Sequence, residues 1–177
     1  GLLSLGNSAM FLHQIPHFEN IGFSTAQATT TVTAFTLFSG IGRVGTGWLM
    51  DHIDMRLVIA CLVILSVAAF GILLNVSDYW HSVVFAFLFG VSFGGAIPSR
   101  PILTSTYYGT QAFGTITGIM QSLAVIGGVG APVLMGWAFD VTGTYDQAII
   151  ILALLTAIAI PITLALPKPQ LLSRSLS

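Results

Sequence analysis

Charge is what this chain has least of. Of its 177 residues only 6% are charged, five basic and six acidic, against 55% that are apolar. A soluble domain carries about 25% charged residues, so a water-soluble globule is excluded and an integral membrane protein is indicated. The net charge of −1 leaves no basic stripe, which excludes an electrostatic nucleic-acid partner. One cysteine, Cys61, excludes a disulfide framework and a thiolate metal site. It reads as a small buried hydrophobe. No basic segment precedes the first apolar run, so no signal peptide is read there. No phosphate loop, zincin or haem signature occurs.

What is present is apolar length. Mean hydropathy is +0.93. Apolar runs separated by short polar breaks mark six spans, at about 1–16, 27–50, 57–76, 82–106, 111–138 and 146–166. Lipid-exposed backbone must be satisfied within helices or a closed barrel. Runs of about twenty apolar residues do not alternate as barrel strands do. The expected fold class is therefore all-α, a polytopic membrane protein. The first span reaches Pro16 in fewer than the ~20 residues a crossing needs, and the sequence opens at Gly1. It reads as a fragment.

The few charges orient the spans. Arg56, Lys168 and Arg174 fall on one side, with Arg43 and Arg100 nearest that side. The opposite loops hold Glu19, Asp78, Asp140 and Asp146 and no lysine or arginine. The positive-inside rule then places the Asp51–Arg56 loop and the C-terminus in the cytoplasm. The expected location is the plasma (inner) membrane.

Gly47-Trp48-Leu49-Met50-Asp51 recurs as Gly136-Trp137-Ala138-Phe139-Asp140, half a chain length later. The two copies end the second and fifth spans and so point in opposite directions. Inverted three-helix repeats of this kind mark secondary transporters.

Arg43 is the residue with most to explain. It lies eight residues, about 12 Å, inside the end of its span at Asp51. A charge at that depth costs about 2.5–3.5 kcal/mol, so it is a functional candidate by default. Thr29, Thr33, Thr36, Gly40, Arg43 and Gly47 recur at helical spacing and form one small or polar face. Leu37, Phe38, Ile41, Val44 and Trp48 cover the other. The planar guanidinium suits a carboxylate. The competing reading is snorkelling, or a structural ion pair.

Further candidates are fewer in signal. Arg100 stands between Pro98 and Pro101, where two prolines should disrupt the helix beside a cavity. It reads as a substrate contact or as a structural or gating residue. Gly114, Thr117, Gly118 and Gln121 make a second small-polar face, with Gln121 its long hydrogen-bonding group. Gly128, Pro132 and Gly136 read as packing positions. In the first span Asn7, His13 and Gln14 are polar, and His13 could be a proton-sensitive residue at the outer mouth. His13-x-x-x-His17-x-Glu19 has metal-like spacing, but Pro16 interrupts it; no metal site and no cofactor is expected. Gly90-Val91-Ser92-Phe93-Gly94 matches a hydrolase nucleophile motif, yet its context is an apolar helix and not a strand–turn–helix elbow. The chain is expected not to be an enzyme.

Gly47-x-Leu49-x-Asp51-x-x-x-x-Arg56 resembles the loop signature of the major facilitator superfamily. The resemblance makes the chain the C-terminal six-helix bundle, residues 1–177, of a twelve-helix carrier. Its spans become helices seven to twelve, two inverted three-helix repeats, and the N-terminal half is missing. Gly47, Asp51 and Arg56 would belong to the conformational gate. Within the superfamily, His13 to Gly22, Arg43 with Gly47 and Asp51, and Pro98-Ser99-Arg100 with Tyr107-Tyr108-Gly109 resemble the monocarboxylate and oxalate–formate carriers. Arg43 then matches the arginine of that branch that binds substrate carboxylate. Where animal monocarboxylate carriers have an aspartate one turn earlier, this chain has Ser39. Where oxalate carriers have a lysine, it has Met120 and Gln121.

The expectation is secondary active transport of a small organic anion, most simply a monocarboxylate, by alternating access. The partners would be that anion, a possible coupling proton, the bilayer and the missing half. Another carried solute (sugar, drug or amino acid), a non-transporting membrane module and an intramembrane hydrolase using Ser92 are the alternatives. The expected substrate contacts are Arg43, Gln121, Arg100, Thr36, Asn7 and His13.

Overall fold

The computed structural model describes residues 2–167, apart from 110 and 112. The described residues form α1 (Leu2–Asn20), α2 (Thr25–His52), α3 (Met55–Leu73), α4 (Tyr79–Tyr108), α5 (Phe113–Thr142), α6 (Asp146–Ala157) and α7 (Ala159–Ala165). Among them there is no strand. Helices α6 and α7 run on as one 20-residue apolar segment, Asp146–Ala165. That segment, α3 and α4 are each long and apolar enough to cross a membrane. Helices α1 and α2 are less apolar on average than α3. The tail from Lys168, with the Lys168 and Arg174 used to orient the chain, lies outside the described residues.

Two expected interruptions do not occur. Helix α1 runs through Pro16 to Asn20 instead of stopping at the proline. Helix α4 is likewise continuous through Pro98 and Pro101. Proline removes one donor, but neighbouring helices and hydroxyl side chains can take over the freed groups in a membrane helix. Pro98 and Pro101 leave the Gly94 and Ile97 carbonyls without their helical donors, and the hydroxyls nearby serve other carbonyls, Ser99 Oγ that of Gly95 at 2.6 Å and Thr104 Oγ1 that of Arg100 at 3.0 Å.

Short connections join the helices, and local capping sets where α2 and α3 begin. Ser24 caps α2 through a reciprocal box: Gln27 N–H donates to Ser24 Oγ at 3.3 Å, and Ser24 N–H to Gln27 Oε1 at 3.0 Å. Asp54 caps α3 by accepting from the Arg56 N–H at 3.0 Å. Successive helices therefore reverse direction, so α2 and α4 run parallel, as do α1 and α5.

The packing repeats with the sequence. Helix α2 packs on α4 as α5 packs on α1, and α3 meets α4 as α6 meets α1. The α1–α2 contact corresponds to that between α4 and α5. Exchanging the first three helices for the last three thus maps each contact onto another. Trp48 and Trp137, from the repeated motif, stand at opposite ends, 61% and 64% exposed. Such placement suits the two interfaces of a bilayer.

The α2–α4 contact is the closest in the bundle. A Cβ on Gly90 would lie 2.7 Å from the Phe35 carbonyl oxygen, and one on Gly94 would overlap the Ser39 carbonyl. Backbone therefore meets backbone, the arrangement small residues permit in lipid. Ser92, inside the hydrolase-like motif, is fully buried and donates to the Leu62 carbonyl of α3 at 2.7 Å. The motif is helix packing. Beside it, Phe35, Phe70, Phe85 and Phe89 form a buried aromatic core, with Phe35–Phe89 and Phe85–Phe89 stacked at 5.3 and 5.2 Å. Each such pair adds about 0.5–1.5 kcal/mol.

Gly94→Leu should therefore destabilise the bundle by at least about 1–3 kcal/mol, as overpacking does. Gly40→Ala, where a Cβ meets nothing within 4 Å, should stay within about 0.5 kcal/mol. Melting of the purified protein in detergent separates the two; equal melting of both variants would contradict the close approach.

Candidate functional site

Helix α2 has three faces, not the two that its pattern suggests. Ala28, Thr31, Phe35, Ser39, Gly42, Thr46 and Met50 are buried and lie toward α4 and the core. Leu37, Ile41, Val44 and Trp48 are exposed apolar residues suited to lipid. Between those faces, Thr29, Thr33, Thr36, Gly40 and Arg43 are exposed and Gly47 is half-buried. This polar stripe is open along the length of the helix. The hydroxyls of Thr29, Thr33 and Thr36 donate to carbonyls one turn back, at 2.7–3.0 Å. Their oxygens can still accept from a ligand or water.

Arg43 lies nine residues from the α2 end at His52, Arg100 eight from the α4 end at Tyr108, and Gln121 eight from the α5 start at Phe113. At 1.5 Å per residue all three sit about 12–14 Å from the same end of the bundle. Arg100 and Gln121 also share a cleft of about 260 Å³ with Ser8, Ala124 and Gly128, where α1, α4 and α5 meet. Gly114, Gly118 and Gln121 are exposed on α5, and Thr117 Oγ1 makes no hydrogen bond. Two open polar surfaces thus lie at one depth, with three residues able to hold an anion: two guanidinium groups and an amide.

Asn7 and His13 are placed elsewhere. Asn7 is buried and accepts from Ser66 Oγ of α3 at 3.2 Å. His13 donates through Nε2 to the Pro132 carbonyl of α5 at 3.1 Å. A Cβ on Gly136 would lie 3.8 Å from the His13 ring and one on Gly128 3.5 Å from Ser8 Oγ. These two glycines therefore face α1, at a distance that leaves room for a methyl group. Neither Asn7 nor His13 lines the cleft. Ser8 does, and nothing in the sequence marks it beyond being polar in an apolar run. Ser39, one turn before Arg43, is buried with its carbonyl against Gly94.

In the loop motif the partner of Arg56 is Asp54. Asp51 is exposed at the end of α2. Arg56 instead pairs with Asp54, Nη2 to Oδ2 at 2.6 Å, and donates through Nη1 to the Leu166 carbonyl at 2.8 Å. Tyr107 of α4 donates to the next carbonyl, Pro167, at 2.7 Å. These bonds fasten the end of α7 to α3 and α4. Nothing in the sequence singles out Asp54, although its partner Arg56 is only two residues on, and Tyr107 appears there only within a resemblance because the carbonyl it binds is sixty positions away.

Among the described residues no group of three potential metal ligands occurs. Phenylglyoxal should modify Arg43 before Arg56, as read by peptide mass mapping. The reverse order would mean that the α2 stripe is not open.

Comparison with known proteins adds the family. The model of the Major Facilitator Superfamily matches residues 1–175. The chain is 24% identical over 153 residues to monocarboxylate transporter 12 of Rattus norvegicus, covering 84% of this chain and 32% of the relative. It is 26% identical over 155 residues to monocarboxylate transporter 13 of Rattus norvegicus, covering 85% and 36%. A third relative, an MFS-type transporter of Gibberella moniliformis, is 26% identical over 132 residues, covering 73% and 32%. The chain spans about a third of the length of the curated relatives it matches. With a matched family model over nearly its whole length, this chain belongs to the Major Facilitator Superfamily, whose members are integral-membrane transporters and not enzymes.

Proposed function

We propose that the chain is the C-terminal six-helix bundle of a carrier that moves a small monocarboxylate by alternating access. The observation that carries this reading is the open polar stripe of α2, with Arg43 exposed on it at the depth of the Arg100–Gln121 cleft. The relatives named monocarboxylate transporters support the substrate class. A stripe and a cleft left open in a membrane bundle need something polar against them, since lipid cannot satisfy them. In this reading that is a water-filled path shared with the other half of the carrier.

Arg43 holds the carboxylate by paired, charge-assisted hydrogen bonds. Gln121 and Thr36 orient the rest of the anion, and Arg100 adds a second positive charge at the same depth. Asn7 and His13 act indirectly, by holding α1 in place against α3 and α5. The Asp51–Arg56 loop, with Gly47, lies at the cytoplasmic face and works as part of the gate. Its Arg56–Asp54 pair and the Leu166 contact would have to move or break when that face opens.

Arg43→Gln removes the charge and the fork together. Losing two charge-assisted bonds, at about 1.5–3 kcal/mol each, corresponds to at least a hundredfold loss in substrate affinity. Uptake of labelled monocarboxylate by vesicles carrying the complete carrier should therefore vanish at substrate levels that saturate the parent, with membrane insertion unchanged. Normal uptake by the variant would remove Arg43 from the site. A competition panel of monocarboxylates, dicarboxylates, sugars and amino acids decides the substrate class. Inhibition by neutral sugars alone would favour a carrier of another solute.

A further inference from the structure

At the end of the bundle opposite Arg56 lies a histidine that the proposed transport route does not use. His17 is 2% exposed, and neither ring nitrogen has a hydrogen-bond partner. Its ring packs edge-on against Tyr145 at 5.6 Å and against Phe18 at 5.9 Å. Tyr145 is itself stacked on Phe139 at 4.3 Å, so the wall behind His17 is rigid and aromatic. A polar group buried without a partner is disfavoured. The position directly before it is Pro16, which leaves the Leu12 carbonyl without its helical donor and makes α1 easiest to bend there.

The ionisable groups around it can be named. On α1 they are His13, held by the Pro132 carbonyl, and Glu19, which accepts from Thr25 Oγ1 at 2.8 Å. Asp146 opens α6 and acts on His17 through its charge. Tyr145 precedes it, with Asp140 of α5 acting on Tyr145 in turn. Asp78, which precedes α4, and His81 in its first turn face each other at 4.0 Å, and the Leu73 carbonyl at the end of α3 acts on His17. All four acids at this end are uncompensated by lysine or arginine.

We propose that His17 is a proton-binding site of the carrier, and that its protonation releases the last turn of α1 from α6 by bending the helix at Pro16. The neutral ring fits the aromatic pocket described here. The charged ring does not fit, because an imidazolium with two unpaired N–H groups is strongly disfavoured when buried. Bending at Pro16 lets it reach the Asp146 carboxylate or water. The proton then binds the two conformations with different affinity, and by linkage its concentration shifts the balance between them.

The sign follows from the surroundings. His17 lies past the apolar run that ends at Pro16, at the rim of the bundle. Burial lowers its pKa below the usual imidazole value; Asp146 and the Leu73 carbonyl pull it back up, though neither closes a hydrogen bond with the ring. The packed conformation is thus fully favoured above about pH 6.5, the ordinary value. It loses stability as pH falls from there through the lowered value. The released conformation gains in the same window.

This inference rests on the carrier reading, but its test does not need the substrate. In the complete carrier, with Cys61 and any other cysteine replaced, spin labels are placed at Ile21 and Val141, both exposed. Their separation is measured by pulsed electron resonance in nanodiscs between pH 8 and pH 5. The parent should show a second distance population growing below about pH 6.5, and His17→Gln should not. Asp146→Asn removes the charge that favours the imidazolium, so its midpoint should move to lower pH. A parent distance that ignores pH, an unchanged response in His17→Gln, or an unshifted midpoint in Asp146→Asn would each overturn the proposal. Should His17→Gln fail to fold, the Asp146→Asn midpoint decides alone. A pH response that persists while monocarboxylates fail to compete for uptake would sink only the substrate reading.

Discussion

Helices α2 and α4 approach until one backbone touches the other, and the remaining architecture is arranged around that contact. Gly42, Gly90 and Gly94 leave no space for a Cβ, and Ser39 and Thr46 are the largest polar groups the seam admits. In lipid there is no hydrophobic drive between helices, so close van der Waals contact of this kind is what holds a bundle together. Fixing one side of α2 against α4 also fixes its rotation. The threonine stripe and Arg43 are then turned to the open side, and Leu37, Ile41, Val44 and Trp48 toward lipid. A rotation by one residue, about 100°, would bury the arginine and unseat the glycines together.

The two ends of the bundle are held by different chemistry. At the Arg56 end the fastening is polar: a guanidinium, held by the Asp54 carboxylate, and a phenol both donate to carbonyls just past α7. Such bonds can exchange with water and reform. At the His17 end it is aromatic and buried, with Phe18, Tyr145 and Phe139 around an imidazole that has no hydrogen bond. An alternating-access carrier needs both ends to open in turn. One end would be released by exchange of hydrogen bonds, the other by adding a charge to a place that cannot hold it.

Much of this was legible from residues alone. The helix runs follow from apolar length and the internal repeat from the two Gly-Trp motifs, whereas the caps at Ser24 and Asp54 emerge only in the structure. Arg43 could be found because a charge in an apolar run is costly wherever it points. The prolines were misleading. Pro16, Pro98 and Pro101 each remove one helical donor, yet α1 and α4 continue through them, because one missing bond does not end a helix that packing against its neighbours holds in place. Asn7 and His13 were recognised as polar, while their partners, Ser66 and the Pro132 carbonyl, lie on other helices. Spacing within one segment carries no information about such pairings.

The sequence by itself determined that this is a bundle of membrane helices, where most of them begin and end, and that Arg43 is the charge to be explained. Those properties depend on hydropathy and periodicity, both local along the chain. Only the tertiary structure decided that Arg100 and Gln121 share a cleft with Ser8, that α2 has three faces, and that His17 lies unpaired against Tyr145. Those depend on helix rotation and on which helices are neighbours. Both are set by contacts between residues far apart in the chain, such as Ser39 with Gly94, which no local pattern records.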